Sequence, residues 1–286
     1  MLVTMKEILK IAEEKDIAVG AFNTPNLESI MAVLNAAEKY ETPVMITHAE
    51  LHEPIMPLEV IAPIMLGMAK SAKIPVCVHL DHCDSLDYLE RALELGFTSV
   101  MYDGSLFSYE KNVEDTKKAV ELAKKFGASV EAEIGILGGR ESGAQPSEQK
   151  VEDMYTDPDL AYDFVQKTKI DALAASFGTA HGFYKTKPKL DFDRIEKINE
   201  LIDIPLVMHG GSGVSPEDYT TAIRNGVRKI NYYSYMARSG VDAIKDLMQS
   251  TNVEFFHDLV TAATKRMQED AEKAIKIFSQ GSKGEK

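Results

Sequence analysis

The chain has little of what marks secreted, membrane-spanning or nucleic-acid-binding proteins. Only two cysteines, Cys77 and Cys83, occur in 286 residues. Six positions apart, they make no disulfide framework of the secreted kind, which favours a reducing compartment, the cytoplasm by default. No apolar run approaches the ~20 residues needed to cross a bilayer. The start, Met1-Leu2-Val3-Thr4-Met5-Lys6-Glu7, breaks into charge too early for a signal-peptide core. Basic residues are in deficit, 32 against 45 acidic, for a net charge of -13. That balance opposes non-specific binding to nucleic acid or to an anionic membrane, and an anionic substrate then needs a local electropositive site. There is no Pro/Ser/Gly-rich linker, no compositional break and no repeat of solenoid length. The simplest reading is one domain over residues 1–280 followed by a flexible tail, 281–286.

Present instead is a regular alternation. Eight strand-like runs stand at Ile17 to Asn23, Pro43 to Ala49, Pro75 to Asp81, Ser99 to Gly104, Ser129 to Gly135, Ala172 to Gly178, Pro205 to Gly210 and Lys229 to Ser234. Most are near-continuously apolar, as parallel strands covered on both faces must be. Between them, apolar residues recur every three or four positions, as in Leu86, Leu89 and Leu93, the pattern of helices lying on a sheet. Eight such units in ~250 residues predict an α/β fold, the (β/α)8 TIM barrel. An open doubly wound sheet fits less well, because Gly20-Ala21-Phe22-Asn23 stands where a dinucleotide Gly-x-Gly-x-x-Gly would follow the first strand. Ser215-Pro216-Glu217-Asp218 and Asp157-Pro158 read as helix starts. A final amphipathic stretch from Phe256 to Phe278 reads as a packing or subunit-contact helix.

Three histidines, His82, His181 and His209, each follow a strand-like run. In a barrel those positions gather at one rim, where active sites lie. Any one of them alone is more simply a polar cap. Three imidazoles from separate strand ends can hold a divalent metal and leave a coordination position open for substrate. Asp81, next to His82, is a candidate acid/base, or else a carboxylate that orients a metal-bound histidine. His79, three residues before His82, projects to the opposite side of an ideal strand and is read as structural. His48 and His52, at helical spacing, are read as solvated rim residues in preference to a second metal site.

The segments His79-Leu80-Asp81-His82, Asp103-Gly104-Ser105, Val130-Glu131-Ala132-Glu133-Ile134-Gly135, Tyr155-Thr156-Asp157-Pro158, Gly178-Thr179-Ala180-His181-Gly182 with Tyr184, and His209-Gly210-Gly211-Ser212-Gly213 occur in this order. The chain resembles the zinc-dependent class II aldolases that cleave fructose or tagatose bisphosphate, over most of its length. The resemblance implies one zinc ion per subunit on His82, His181 and His209, with Asp103 and Glu133 as carboxylates close to the metal. It implies Asp81 as the acid/base on the hydroxyl that becomes the aldehyde. It also implies Glu141, on a long loop after the fifth strand, as the group that moves the proton at the dihydroxyacetone carbon.

By the same resemblance Asn23, Gly182, Gly210, Gly211, Ser212, Asn231 and Ser234 face a phosphorylated sugar, with Arg238 a possible anion contact beside Arg140. Glycine-rich turns and helix starts supply positive potential without net charge, which suits phosphate in an acidic protein. A monovalent cation near Gly182 and Gly210, and a homodimer or homotetramer, are further family traits. The chain departs from the family pattern at Tyr233, where a phenol stands near the sugar's middle hydroxyls, and at Thr47-His48-Ala49-Glu50-Leu51-His52-Glu53. The expected activity is therefore reversible cleavage of a ketose 1-phosphate or 1,6-bisphosphate to dihydroxyacetone phosphate and an aldehyde. That aldehyde is glyceraldehyde 3-phosphate or a variant such as a sulfonated or deoxy one. The rival readings are a barrel metal hydrolase and a non-catalytic sugar-phosphate-binding subunit.

Overall fold

Eight parallel strands close into a ring in the computed structural model, which describes residues 1–135, 155–184 and 186–280. In chain order the ring is β2 (Val19–Asn23), β3 (Val44–Ala49), β4 (Val76–Cys83), β5 (Ser99–Tyr102), β6 (Ser129–Ile134), β7 (Ala172–Ala175), β8 (Leu206–Met208) and β9 (Val227–Tyr232), with β9 pairing back onto β2. Six predicted runs contain their strand, and the other two overlap theirs: β4 runs two residues past Asp81 to Cys83, and β9 begins two residues before Lys229, at Val227. A ninth strand, β1 (Leu2–Val3), was not foreseen because two residues carry no periodicity. It pairs with the start of β4 through Leu2 and Val76, and Val3 O accepts from Thr98 Oγ1 at 2.7 Å.

The helices α1 (Met5–Lys15), α2 (Leu27–Lys39), α3 (Leu58–Ser71), α4 (Leu86–Leu95), α5 (Tyr109–Phe126), α6 (Pro158–Thr168), α7 (Phe192–Leu201), α8 (Pro216–Arg224), α9 (Ser234–Ser250) and α10 (Phe256–Gln280) surround the barrel. Their starts follow local chemistry. Thr4 and Glu7 form a reciprocal capping box on α1, and Asp157 and Ser215 accept from the backbone ahead of the first-turn prolines of α6 and α8.

Alternate residues of each strand divide into two cores. Outward-facing Phe22, Ile46, Val78, Leu80, Val100, Ala132, Leu173, Met208 and Ile230 are buried beneath the helix layer. Inward-facing Val19, Ala21, Met45, Cys77, Met101, Ala172, Ala174 and Val207 pack with Met5, Ile8, Leu9 and Ala12, so that α1 plugs one end of the barrel. Each fully buried aliphatic or aromatic side chain contributes about 1.5–3 kcal/mol. The plugged end holds the strand N-termini, which leaves the C-terminal end for chemistry. Helix α10 packs against α2 and α9, and its Phe278 meets Tyr219 at 4.9 Å between ring centroids. Its stripe is therefore a packing surface.

Candidate active site

The interior changes character one layer up. Past the apolar plug, the same inward-facing positions become His79 and Asp81 on β4, Glu131 and Glu133 on β6, Lys229 and Asn231 on β9, with Asn23 ending β2 and His209 following β8. All eight are buried.

Strand alternation would send Asp81 and His82 to opposite faces. The structure breaks the alternation at that point. Between Leu80 and Cys83 the β4 chain carries one more residue than β5 does between Val100 and Tyr102, and His82 takes a left-handed φ of 43°. Such bulges re-aim a side chain, and here Asp81 and His82 both serve the barrel mouth. The ideal-strand placement of His79 relative to His82 is corrected accordingly. His79 faces the interior, its Nδ1 2.8 Å from Ser99 Oγ and its Nε2 3.7 Å from Glu131 Oε2.

His82, His181 and His209 converge. His82 Nε2 lies 3.1 Å from His181 Nε2 and 2.8 Å from His209 Nδ1, and the three donor nitrogens form one candidate metal-holding group. Carboxylates hold the opposite edges of two of these rings: His82 Nδ1–H donates to Asp103 Oδ2 at 2.9 Å, and His209 Nε2–H to Glu131 Oε1 at 2.7 Å. With those protons placed, His82 Nε2 and His209 Nδ1 present lone pairs to each other. Two lone pairs at hydrogen-bond distance repel, whereas a cation between them satisfies both, so the donor set fits a divalent ion bound by neutral imidazoles. Asp103 is itself locked, its Oδ1 accepting from the backbone N and hydroxyl of Ser105 at 3.1 and 2.6 Å.

Glu133, buried with Oε2 unpartnered, belongs to a second candidate group with His82 and Asp103. Burial and the neighbouring Asp103 push its carboxyl well above the usual range.

Lys229 is a part of the site that its residue type did not announce. Its fully buried ammonium lies 2.8 Å from Glu131 Oε2 and donates to Asn231 Oδ1 at 2.7 Å. Burial alone would raise the Glu131 carboxyl, but Lys229 and the His209 bond outweigh it and hold it near 2. Lys229 also fixes the Asn231 amide: with Oδ1 turned to the ammonium, Nδ2 faces Asp81 Oδ1 at 3.0 Å. Despite its burial, the Asp81 carboxyl is held below the usual carboxylate range, and the Lys229 ammonium is the fixed positive charge among the groups that do so. Its Oδ2 has no partner.

The loops after β7 and β8 are joined by Tyr184, whose hydroxyl accepts from Ala180 N and donates to Gly210 O, both at 2.8 Å. Gly210 has φ +63°, and a Cβ there would collide with the backbone of Ala180. Gly211 N donates to Asn231 O at 3.1 Å, and Ser212 Oγ accepts from Tyr233 N at 2.9 Å. This turn therefore abuts the start of α9, where Ser234 stands and no side chain caps the backbone. Gly182, at φ +92°, lies beside His181 in the β7 loop, and Asn23 Oδ1 accepts from Thr47 Oγ1. Arg238, exposed on α9, pairs with Asp242 at 3.2 Å. Glu141, Arg140 and the 281–286 tail lie outside the described residues.

His48 and His52 are not solvated rim residues. Both are buried, and neither joins a candidate metal group among the described residues.

The model of the class II fructose-bisphosphate aldolase family matches residues 3–284. The chain belongs to this family. Within it, a sulfofructosephosphate aldolase of Alkalicoccus urumqiensis is 37% identical over 280 residues, covering 97% of this chain and 96% of that protein. A fructose-bisphosphate aldolase of Staphylococcus aureus is 39% identical over 254 residues, 87% of each chain. The crystal structure of the YdjI aldolase of Escherichia coli K12 superposes with a TM-score of 0.87 at 33% identity over the full length of both. The chain is thus an aldolase, a carbon–carbon lyase on a TIM barrel, and the family acts on phosphorylated sugars. No helix among the described residues is long and apolar enough to cross a membrane.

Proposed function

We propose that this aldolase is zinc-dependent and cleaves ketoses phosphorylated at C1, releasing dihydroxyacetone phosphate and an aldehyde, with residues 1–280 acting as one catalytic domain. The observation that carries the reading is the convergence of His82, His181 and His209 nitrogens beside the unpartnered Oδ2 of Asp81. Bound by the three imidazoles, a divalent ion supplies Lewis-acid stabilisation of the charge left beside a ketone when the carbon–carbon bond breaks.

The chain's own groups do the rest. Asp81 Oδ2 takes the proton of the hydroxyl that becomes the aldehyde oxygen and returns it in condensation, while Asn231 holds Oδ1 in place. Gly182, Gly210, Gly211 and Ser212, with Ser234 at the N-terminus of α9, receive the phosphate; the first turn of α9, which no side chain caps, and its helix dipole supply the positive potential that the acidic chain otherwise lacks. Asp103 and Glu131 fix the imidazole tautomers that present lone pairs inward. Glu141 serves as the proton carrier at the dihydroxyacetone carbon.

Exposed Met248, Phe255 and Phe256 on and between α9 and α10 offer a contact for a homodimer or homotetramer. Side-by-side cleavage assays on the fructose, tagatose and sulfofructose phosphates, with release of dihydroxyacetone phosphate as the readout, test the activity. Equal inactivity on every ketose 1-phosphate defeats it, and full turnover after exhaustive demetallation defeats the metal.

A further inference from the structure

The corner of the rim beside Asp81 holds buried polar groups that the chemistry above does not use. Ala49 pairs with Asp81 across β3 and β4, so the single helical turn Glu50–His52 that follows lies next to the Asp81 carboxylate. His52, 2% exposed, lies close enough to Asp81 to feel its charge, and its Nδ1 has no hydrogen-bond partner. The His52 ring meets Tyr233 edge-on at 5.7 Å between centroids and His48 at 5.9 Å. His48 shares strand parity with Leu80, so it stands behind the barrel wall, with both nitrogens unpartnered. Tyr233 is anchored through its backbone N to Ser212 in the turn assigned to phosphate. In the aldolase reading above it therefore begins where the phosphorylated half of the substrate would end.

We propose that His52 and Tyr233 form the subsite for the aldehyde half of the substrate, with His48 positioning His52, and that this subsite takes an uncharged polyhydroxy tail in preference to a second phosphate. The proposal rests on the aldolase reading above. A neutral imidazole offers one donor and one acceptor, and a phenol the same, which matches alcohols that each give and take a hydrogen bond. A phosphate dianion needs several donors or a cation. Among the described residues, the carboxylates whose charge the two imidazoles feel are Asp81 and Glu53, which repel it. Arg91, which reaches Glu53 from that edge, is already engaged by Glu53 and Glu59.

The test uses the full metal-loaded chain. Cleavage of fructose 1-phosphate and fructose 1,6-bisphosphate is compared by kcat/KM, condensation by the KM for glyceraldehyde, and the other half of the reaction by solvent exchange of the C3 proton of dihydroxyacetone phosphate in deuterated water. The expected result is a preference of at least tenfold for fructose 1-phosphate. In His52→Ala the glyceraldehyde KM should rise at least tenfold, with a much smaller change in exchange, and His52→Gln should recover most of the loss. Tyr233→Leu carries the same comparison should His52→Ala melt early. A wild type that prefers the bisphosphate, or a well-folded His52→Ala with an unaltered glyceraldehyde KM, overturns the subsite. Absence of proton exchange in the wild type instead defeats the aldolase reading, and the subsite with it.

Discussion

Asn231 Nδ2 donates to Asp81 Oδ1 at 3.0 Å, joining two residues 150 positions apart. The amide is aimed by Lys229, so the carboxylate has one oxygen held and the other open. Asp81→Asn should lower kcat about 10²–10⁴-fold, the usual worth of a positioned acid/base, with metal content unchanged. Asn231→Ala, which frees the same carboxylate, should cost less in kcat and leave the fold intact. Steady-state kinetics with metal analysis checks both; wild-type turnover in Asp81→Asn removes Asp81 from the chemistry.

Removing the metal should abolish cleavage, and zinc should restore it. The carboxylate behind His82 should matter nearly as much as the ligand: Asp103→Asn is expected to weaken metal affinity about 10–100-fold. Competition with a chromophoric chelator measures this directly. An unchanged affinity would mean that Ser105 and Asp103 serve only to shape the β5 loop.

Lys229 and Glu131 are a fully buried ion pair. Lys229→Met leaves the Glu131 carboxylate without its cation and should destabilise the protein by about 3–5 kcal/mol. The double variant Lys229→Met/Glu131→Gln should recover part of that loss. Urea denaturation of the two variants decides the point, since equal stability would show that the pair is not coupled.

Gly210 cannot carry a side chain without moving the His181 loop, because Ala180 occupies the space and φ is positive. Gly210→Ala should therefore both destabilise the fold and reduce metal occupancy. Tyr184→Phe, which removes the hydroxyl tie between the two loops, should act in the same direction more weakly, by about 1 kcal/mol. Metal content and thermal melting, read together, separate a displaced ligand from general loss of stability.

Acid should loosen the structure through His48. Burial and the nearby His52 lower its pKa to about 4, against about 6.5 in an unfolded chain. As pH falls below about 6.5 the unfolded chain takes up the proton first, so this contribution is complete above that value and is lost down to about 4. Between pH 7.5 and 5.0 the loss is about 2 kcal/mol. His48→Leu should flatten the dependence by that amount, seen as a smaller shift of the denaturation midpoint between the two pH values. An identical slope in both proteins would place His48 outside the titration.

The eight runs and the order of the histidine and glycine segments were legible because they depend on local pattern. Continuous apolar stretches between helical periodicities specify a covered parallel sheet, and residues just past strand ends share one rim in any such barrel. The placement of His82, His181 and His209 together followed from that alone. The alternation that set His79 against His82 failed because one inserted residue between Leu80 and Cys83 reverses the parity, which the fold shows as a positive φ at His82 and a register shift against β5. His48 and His52 look like surface polar residues in the chain, and only the ring of strands and helices around them decides that they are buried. The same holds for Lys229, whose partners Glu131 and Asn231 are set by which strands face each other across the closed barrel. Periodicity and spacing act within a segment, so the amino-acid order determined the barrel and the rim that carries its chemistry. Strand register and ring closure act between segments, so the tertiary structure decided which nitrogen of each histidine faces the cluster, which oxygen of Asp81 is open, and which buried groups stand beside it.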